Sequence, residues 1–459
     1  MVLRHGEVIA EGWWDPYDQD QIHLLYSLSK SFTSAAAGMA AAEGLLSLDD
    51  RIVDLFPDHA QYAADDRVRS LTLRHLLRMA TGHREDVLPR ALAHHRDDLV
   101  RGFLAIAPDE EPGSIFCYNN LATYMVGAAV QKRSGQTLTE FLTPRLFEPL
   151  GIDRFFWQTD HVGYNIGFSG LHLTTESIAR FGQLIIQGGR WNGRQLLDPQ
   201  WLADATSPQT DTSANDTPDW QQGYGYQFWM SQHGFRGDGA YGQFCLVLPE
   251  QDLVVAITEA SADIQQTLTL VWQHLLPACA DAPLPENAAA LAELQDRLQA
   301  LTLTAVDSPD WTPSPLPEPS GPEAPLPPLR VTQVERADQL VRVTVDHDEL
   351  KPGRRPPQLT FEIGLSSWHP GMINFEGAVP GRVHHDTSLN QGSELPYAAS
   401  GAWREDGSFV GEIAFVQTPH RLRVTARQDG TTEIGWITLP LVPPYPEGLA
   451  TRPQKVSST

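Results

Sequence analysis

The amino-acid sequence predicts an α+β domain followed by a C-terminal all-β domain. Helical and strand-like patterns are interspersed over residues 1–280, whereas after residue 328 apolar and polar residues alternate with the period of two of antiparallel strands. Between these regions, residues 307–328 contain nine prolines, which prevent a continuous helix or a central strand. We therefore expect domains at 1–280 and 329–459, joined by a helix and a proline-rich linker over 281–328.

The first 280 residues contain several segments whose apolar residues recur with the period of a helix. The predicted helices are Leu28–Glu43, Leu71–Met79, Asn120–Arg133, Leu138–Leu150, Glu176–Gln187 and Ile264–Leu275. The predicted strands are Val2–Trp14 with a turn at His5-Gly6, then Tyr224–Met230, Gly242–Leu248 and Leu253–Thr258. Because no internal repeat accompanies this mixture, the region is predicted to be one mixed domain.

The segment between the two domains begins with a predicted helix. Leu291, Leu294, Leu298 and Leu301 fall on one helical face, which either packs on its own domain or forms a dimer seam. Beyond the prolines, the predicted strands are Gln339–Val345, Gln358–Gly364, Phe409–Gln417, Arg421–Arg427 and Thr432–Leu439. Their alternation, with Gly, Asp and Asn between them, predicts a small antiparallel barrel or sandwich.

The composition excludes several classes of partner. Lys and Arg total 33 against 57 Asp and Glu, which gives a formal net charge of −24 over 459 residues. Nucleic acids and anionic membrane surfaces need clustered cations, so neither is expected as the main partner. No apolar stretch approaches the roughly 20 residues that span a bilayer. A small molecule is the expected partner, and the oligomeric state is not predicted.

Cysteines and histidines give no signal for a disulfide framework or a metal site. The three cysteines lie far apart, and the adjacent histidines at 94–95 and 384–385 point in different directions on a helix or a strand. We therefore predict neither a metal nor a cofactor. The N-terminus lacks the pattern of a secretory signal and runs directly into a strand. This predicts a cytoplasmic protein, unless the natural start lies upstream of Met1.

Lysine is rare in this chain, and one lysine lies close to a serine. Only Lys30, Lys132, Lys351 and Lys455 occur, so 29 of the 33 basic residues are Arg. Lys30 follows Ser27 by three residues near the start of a predicted helix, which puts both side chains on one helical face. A buried Lys, unlike Arg, can lose its proton and activate a hydroxyl. The spacing indicates this chemistry, although a single Ser-x-x-Lys also arises by chance.

A second motif lies where a predicted strand meets a helix, at Tyr118-Asn119-Asn120. A phenol at this junction can transfer a proton, and a carboxamide can bind the carbonyl group of an ester or amide. The alternative interpretation is a hydrogen-bonded turn with no chemical role.

Several further segments, in the same order along the chain, resemble one protein family. They are Tyr26–Thr33 (YSLSKSFT), Gly44–Asp50 (GLLSLDD), Leu73–Gly82 (LRHLLRMATG), Glu111–Ser114 (EPGS), Leu146–Gly151 (LFEPLG), Gly167–Thr174 (GFSGLHLT) and Phe181–Gly193 (FGQLIIQGGRWNG). Together they resemble the class C β-lactamase-related, penicillin-recognising serine hydrolases over about residues 1–276. The resemblance implies a β-lactamase/transpeptidase-like fold, in which helices flank an antiparallel sheet and a helical subdomain is inserted.

The resemblance also implies roles for the motif residues. Ser27 resembles the nucleophile that is acylated, and Lys30 resembles the amine that activates it. Tyr118 resembles the residue that exchanges protons with the leaving group and the hydrolytic water. Asn120 resembles the carboxamide that orients the substrate.

The family's third motif is a strand that bears Lys-Thr-Gly or His-x-Gly, and this chain departs from it. Gly237 occupies the position of the Lys or His, and Asp238 follows it. Gly239 matches the glycine that lets the strand lie close to the substrate. The backbone N–H groups of Ala240 and Ser27 are then expected to form the oxyanion hole.

The departure at Gly237 affects the expected substrate. A penicillin-type carboxylate would meet no cation there unless Arg236 bends inward, and Asp238 would repel it. Asp238 is either a simple turn residue or part of a site for neutral or amine-bearing substrates. Hydrolysis of esters or amides is compatible with both, whereas efficient hydrolysis of β-lactams is not expected.

These observations predict a cofactor-free serine hydrolase that cleaves a small-molecule ester, amide or peptide through an acyl-enzyme. Two alternatives remain open in the sequence. One is a D-amino-acid peptidase or amidase, or a weak β-lactamase. The other is a non-catalytic module that binds peptidoglycan-like peptides.

Overall fold

The computed structural model describes residues 1–95, 97–160, 162–307, 309–314, 329–347, 358–374 and 394–441. The chain folds into two compact units. The N-terminal unit contains residues 1–11 and 25–285, and the C-terminal unit contains residues 12–24 and 286–459. Most of the predicted proline-rich linker and the histidine pair at 384–385 lie outside the described residues.

A six-stranded sheet forms one layer of the N-terminal unit. The strands before residue 286 are β1 (Val2–Arg4), β2 (Glu7–Ala10), β3 (His23–Leu24), β4 (Phe155–Trp157), β5 (Leu171–Leu173), β6 (Arg190–Trp191), β7 (Arg194–Gln195), β8 (Trp229–Met230), β9 (Phe235–Gly239), β10 (Gln243–Leu248) and β11 (Leu253–Ile257). The sheet has the order β2-β1-β11-β10-β9-β8, and every neighbouring pair is antiparallel. The strands from the two ends of the N-terminal unit, β1 and β11, are therefore neighbours in the interior of the sheet.

Helices make up most of the rest of this unit. They are α1 (Ser29–Ala42), α2 (Ile52–Leu55), α3 (Asp66–Ser70), α4 (Leu73–Leu77), α5 (Leu88–His95), α6 (Leu99–Leu104), α7 (Asn120–Ser134), α8 (Leu138–Leu142), α9 (Glu148–Leu150), α10 (Thr175–Ile186), α11 (Pro199–Ala205) and α12 (Ile264–Leu270). Short π-helical turns continue α8 into α9 over Thr143–Phe147 and extend α12 over Val271–Leu275. Each of the six predicted helices is present within a few residues of its expected bounds.

Helix α1 lies at the centre of the N-terminal unit, and twelve of its fourteen residues are buried. Its many small side chains allow close packing, and Phe32 stacks on Phe181 of α10 with ring centroids 4.0 Å apart. Ser31 Oγ donates a hydrogen bond to the backbone carbonyl of Gln227 at 2.9 Å. Since buried hydroxyls that find acceptors stabilise one arrangement, these contacts fix the position of α1.

The strand predicted at Tyr224–Met230 is much shorter in the structure, where only Trp229 and Met230 pair with β9. Gln227 interrupts it because its backbone has a φ of 65°, which is incompatible with an extended strand. Its side chain is buried, and its Nε2 donates to the Leu77 carbonyl at 2.8 Å. The local sequence favours an extended backbone here, but the buried contact of the Gln227 side chain accompanies a different backbone conformation.

The part of the C-terminal unit that the structure describes consists mainly of strands. They are β12 (Leu329–Ala337), β13 (Leu340–His347), β14 (Gln358–Leu365), β15 (His369–Asn374), β16 (Glu394–Trp403), β17 (Phe409–Ala414), β18 (Arg421–Ala426) and β19 (Thr432–Thr438). Seven of them run in the order β12-β13-β14-β16-β17-β18-β19, with β15 paired to β16. The two outer strands approach each other, so the sheet is nearly a barrel.

Alternating residues of these strands form the core of the C-terminal unit. On β13 the side chains of Val341, Val343 and Val345 are buried, and the residues between them face outward. One pairing is parallel, between β14 and β16, and the other described pairings are antiparallel. The prediction of an all-β C-terminal domain is confirmed.

The helix predicted from the leucine spacing is α13 (Ala288–Gln299) in the C-terminal unit. None of its residues is buried, and Leu291 and Leu294 are 56% and 41% exposed. A Cβ built on Gly12 would lie 3.1 Å from Leu298 and 2.6 Å from Leu301, which follows the helix. Packing of the leucine face is therefore restricted to its C-terminal end in the described residues.

Candidate active site

Ser27 lies in a short 3₁₀ turn, Tyr26–Leu28, that leads directly into α1. Its neighbours on both sides are buried, but Ser27 itself is partly exposed. Tyr26 has a φ of 47°, a left-handed conformation that is costly for a residue with a side chain. Its ring packs against Tyr241 with the centroids 5.9 Å apart. This strained turn presents the serine hydroxyl at the surface of an otherwise buried helix.

Lys30 is the central residue of the candidate site, and only 1% of its surface is exposed. Its Nζ lies 3.1 Å from Ser27 Oγ. The same nitrogen donates to Asn120 Oδ1 at 2.6 Å and to the backbone carbonyl of Phe168 at 2.9 Å. The amine therefore contacts three polar groups of the protein, and one of them is the hydroxyl of the candidate nucleophile, Ser27.

Burial changes the protonation of Lys30. Desolvation disfavours the ammonium form and lowers the pKa of Lys30 to about 7, against the opposing effects of the Asp86 and Asp238 carboxylates. An amine with this pKa is neutral in a substantial fraction of molecules near neutral pH. It can therefore accept a proton from a hydroxyl.

Tyr118 approaches the same hydroxyl from the other side of the site. It forms a side-chain hydrogen bond with Ser27, and its ring lies 4.9 Å from Lys30 Nζ. Burial raises the pKa of Tyr118 above its ordinary value, and the hydrogen bond with Ser27 only partly opposes this effect. The ring stacks on Trp229 at an interplanar angle of 18° and a centroid distance of 5.7 Å. The phenol is thus held in place and kept protonated.

The start of α7 positions Tyr118 and Asn120. Asn119, between them, is the N-cap, and its Oδ1 accepts from the backbone N–H groups of Leu121 and Ala122 at 3.1 and 3.4 Å. The turn interpretation of Tyr-x-Asn therefore applies to its middle residue. The outer two residues, Tyr118 and Asn120, both reach the Ser27–Lys30 pair.

Asp86 contacts Asn120 and was not identified from the sequence. Its Oδ2 accepts from Asn120 Nδ2 at 2.7 Å, and its Oδ1 accepts from the Asn120 backbone N–H at 3.1 Å. Burial raises the pKa of the Asp86 carboxyl, while hydrogen bonds from Leu88 and Asn120 and the charge of Lys30 lower it. No local motif marks this loop residue, because its partner is 34 positions away.

Strand β9 brings the third motif beside the Tyr26–Leu28 turn, which carries the candidate nucleophile Ser27 and is called the nucleophile turn below. A Cβ built on Gly239 would lie 2.1 Å from the Leu25 carbonyl oxygen, so only glycine allows this approach of the two backbones. The next residue, Ala240, follows the end of a strand that contacts the Tyr26–Leu28 turn. Gln243 Nε2 donates to the Ala240 carbonyl at 3.1 Å and to the Glu259 carbonyl at 2.7 Å, which fixes the turn after β9.

Gly237 faces α1, in accordance with the alternation of side chains along a strand. A Cβ there would lie 2.3 Å from Leu28 Cδ1 and 2.9 Å from Ser31 Oγ. The family's Lys or His at this position has no room in this chain. The absence of the cation in the sequence is thus matched by the packing of α1 against β9.

Arg236 and Asp238 lie on the opposite side of β9 and form an ion pair, with 2.9 Å between Nε and Oδ2. The Arg236 side chain is fully buried, and its Nη1 donates to the carbonyls of Asp219 and Met230 and to Ser231 Oγ. Arg236 therefore points into the protein and does not bend toward the candidate site. Burial raises the pKa of the Asp238 carboxyl, while the charge and hydrogen bond of Arg236 lower it.

The structure thus brings Ser27, Lys30, Tyr118 and Asn120 together and sets the end of β9, with Gly239 followed by Ala240, against the turn that carries Ser27. Asp238 is close enough for its charge to raise the pKa of both Lys30 and Tyr118. Within the described ranges, no group of three or more His, Cys, Asp or Glu side chains could hold a metal ion. No helix described in the structure has the length and apolar character of a membrane span.

Comparison with known proteins identifies the family. A sequence model of the Beta-lactamase family matches residues 1–263. The chain belongs to the Beta-lactamase family. The resemblance found in the sequence and the predicted α+β fold with its separate β-domain are both confirmed. Because curated relatives of this Beta-lactamase-family protein are hydrolases, it is a serine hydrolase.

Individual relatives of the Beta-lactamase-family chain are distant. It is similar to the 6-aminohexanoate-dimer hydrolase of Paenarthrobacter ureafaciens, with 24% identity over 277 residues that cover 56% of this chain and 70% of the relative. Penicillin-binding protein 4 of Amycolatopsis lactamdurans is 23% identical over 320 residues, or 60% of this chain and 81% of the relative. The octameric penicillin-binding protein homologue from Pyrococcus abyssi has a TM-score of 0.47 and 16% identity, covering 90% of this chain and 93% of that structure.

The substitution Gly239→Ala should disrupt the contact between β9 and the nucleophile turn. Because the added Cβ would meet a backbone oxygen, we expect the free energy of unfolding to fall by about 1–3 kcal/mol and ester hydrolysis to fall at least tenfold. Gly44→Ala is the control, since Gly44 has a φ of 72° and no atoms near its Cβ position. It should cost about 1 kcal/mol of stability with no loss of activity. Equal activity losses in both variants, measured beside thermal unfolding, would contradict this role of Gly239.

Proposed function

We propose that the protein hydrolyses small-molecule esters or amides through an acyl-enzyme formed on Ser27. The observation that carries this proposal is the contact of 3.1 Å between Ser27 Oγ and the buried Lys30 amine, whose pKa is lowered to about 7. A neutral amine at hydrogen-bond distance from a partly exposed hydroxyl is the arrangement that activates a serine nucleophile.

In the first step, Lys30 Nζ accepts the hydroxyl proton while Ser27 Oγ forms a bond to the carbonyl carbon of the substrate. The carbonyl oxygen becomes negatively charged. The backbone N–H groups of Ser27 and Ala240 donate to it, since the contact of Gly239 with Leu25 holds the two backbones together. One such donor commonly contributes about 10²–10³ in rate.

In the second step, the carbon–oxygen or carbon–nitrogen bond to the leaving group breaks. The protonated Tyr118 phenol passes a proton to the leaving group, and the Lys30 ammonium then returns the proton that it took from Ser27 to the Tyr118 phenolate. Water then attacks the acyl-enzyme, its proton returns along the same residues, and the carboxylic acid leaves. The opposite directions of the pKa shifts suit these roles, because the lowered pKa keeps Lys30 neutral and the raised pKa keeps Tyr118 protonated.

A fluorophosphonate probe tests the nucleophile. Ser27 Oγ should form one bond to phosphorus as fluoride leaves, giving a single labelled site in the peptide map of the wild-type protein. Ser27→Ala should abolish labelling and ester turnover, whereas Ser70→Ala, at an exposed serine, should change neither. A folded wild-type protein that takes up no label would contradict the proposal.

A conservative change at Lys30 tests the base. Lys30→Arg keeps the positive charge but removes the ability to accept a proton, so we expect p-nitrophenyl acetate turnover to fall about 10²–10⁴-fold. Lys132→Arg is the matched control, because Lys132 forms a surface ion pair with Asp58 at 3.2 Å. It should retain full activity. Unchanged turnover in Lys30→Arg would remove Lys30 from the mechanism.

The pH dependence of the wild-type protein follows from the same amine. Because the pKa of Lys30 is lowered to about 7, the active neutral form is lost as the pH falls through this value. We therefore expect kcat/KM for p-nitrophenyl acetate to rise from about pH 6 to a plateau at about pH 8. A profile with no inflection near pH 7 would show that another group is the base.

Asp238 supports a preference for substrates that lack a carboxylate. Its side chain is 8% exposed beside Tyr118, whereas the guanidinium of Arg236 is fully buried among interior acceptors. Gly237, where a cation would bind a carboxylate, leaves no space for a side chain. The partly exposed member of the Arg236–Asp238 pair is therefore the carboxylate. Neutral or amine-bearing groups fit this site better than a β-lactam carboxylate.

Three p-nitrophenyl esters of equal chain length, ending in methyl, ammonium or carboxylate, test this preference. We expect the carboxylate ester to have a kcat/KM at least about tenfold below the methyl ester, or about 1.4 kcal/mol, and the ammonium ester to equal or exceed it. Asp238→Asn should narrow the difference, while Asp109→Asn, at an exposed carboxylate bonded to the Arg84 backbone, should not. The measured quantity is the ratio of kcat/KM between the esters, because Asp238→Asn also removes the carboxylate that pairs with Arg236. Equal rates for all three esters would contradict a role of Asp238.

A further inference from the structure

Asp86 is a half-buried carboxylate that has no part in the proposed mechanism, yet it binds Asn120, which contacts the Lys30 amine. It binds both the backbone N–H and the side-chain Nδ2 of Asn120, at 3.1 and 2.7 Å. A third donor, the backbone N–H of Leu88, lies 3.1 Å from the same carboxylate. Asp86 is thus fixed at the end of its loop and holds Asn120 at two points.

The chemistry of Asp86 determines which way the Asn120 amide points. An ionised carboxylate only accepts hydrogen bonds, so it must face the NH₂ group of Asn120. The carboxamide oxygen then faces Lys30, where Oδ1 lies 2.6 Å from Nζ. The reverse orientation would set Asn120 Oδ1 against the carboxylate oxygen Oδ2 of Asp86 and is therefore excluded while Asp86 is ionised.

The direction of the Asn120 amide in turn determines how neutral Lys30 is oriented. A neutral amine has two N–H groups and one lone pair. The Phe168 carbonyl, at 2.9 Å, and Asn120 Oδ1 can only accept, so each takes one N–H group. The lone pair is then left for the third neighbour, the Ser27 hydroxyl at 3.1 Å. A reversed amide would instead donate to this lone pair and compete with Ser27.

We propose that Asp86 is a positioning residue, which directs the lone pair of Lys30 toward Ser27 by fixing the orientation of the Asn120 amide. This inference rests on the proposed function, because it matters only if Lys30 is the base. Asp86 does not touch the reacting atoms. Its effect should therefore appear in the rate of the chemical step and not in substrate binding.

The test is Asp86→Asn, which preserves the shape of the side chain but supplies a donor as well as an acceptor. The Asn120 amide can then reverse, so kcat for p-nitrophenyl acetate should fall roughly 10- to 100-fold, a part of the contribution of a general base. KM should change less than twofold. The rate of fluorophosphonate labelling at Ser27 should fall with kcat.

The pH profile separates positioning from a general loss of structure. Among the described titratable groups, the charges of Asp86 and Asp238 act on the Lys30 amine, and the Tyr118 ring lies 4.9 Å from it. Burial lowers the pKa of Lys30, and the negative charge of Asp86 opposes this, so removing that charge lowers the pKa further. The acidic limb of the Asp86→Asn profile should therefore move to lower pH while the plateau falls. Simple unfolding would lower the plateau without this shift.

Glu85→Gln is the matched control, because it removes the neighbouring carboxylate, which pairs with Arg90 at the surface at 3.4 Å. It should retain the wild-type kcat and pH profile. Asp86→Glu keeps an acceptor-only group and should restore at least part of the activity lost in Asp86→Asn. If Asp86→Asn does not fold, as judged by circular dichroism, the Glu variant still tests the inference, since its acidic limb should stay near the wild-type position.

The outcomes distinguish this inference from the proposed function. If wild-type Ser27 is labelled and Asp86→Asn retains kcat within twofold with an unshifted acidic limb, the role of Asp86 is overturned and the acyl-enzyme mechanism stands. A folded Asp86→Glu variant with a shifted acidic limb would also overturn it. If the folded wild-type protein is not labelled at Ser27, the proposed function fails and the inference fails with it.

Discussion

The candidate site depends on the burial of one lysine amine, that of Lys30, in the protein interior. Lys30 is almost completely buried, and the cost of desolvating a charge favours its neutral form. Such a group is tolerated only where fixed acceptors satisfy its N–H groups, and Asn120 and the Phe168 carbonyl do so. The buried centre of the N-terminal unit and the candidate base therefore lie on the same helix, α1, and the surrounding elements contact both.

Strand β9 shows how close packing controls the charge around this helix. Its residues alternate between the two faces of the sheet, so Gly237 faces α1, while Arg236 and Asp238 lie on the opposite side. The short contact that Gly239 makes with Leu25 holds the strand against the nucleophile turn. The same packing that brings the backbone near Ser27 leaves no volume for a cation. The approach of the β9 backbone to Ser27 and the absence of a cation at position 237 thus have the same cause, which is the close packing of β9.

Sequence patterns predicted the features that depend on residues close to each other in the sequence. Ser27 and Lys30 are three positions apart on one helix, so their proximity follows from helical geometry alone. Asp86 could not be found in this way, because its contact with Asn120 joins a loop to a helix start 34 positions later. Strand β16 was missed because small residues replace the usual apolar alternation where Gly401 packs against Phe409. Long-range packing, which no local pattern encodes, determines these parts of the structure.

The Leu28–Gly237 contact also bears on how this site could evolve. Acquiring the lysine or histidine that typifies penicillin-recognising relatives would first require a smaller residue at position 28, since a Cβ at 237 would lie 2.3 Å from the Leu28 side chain. The neighbouring Asp238 would then pair with the new cation and neutralise it. A smaller side chain at position 28 would in turn leave unfilled volume next to Ser27. A cation therefore cannot be introduced at position 237 by a single substitution without disturbing the packing of Leu28 and Ser31.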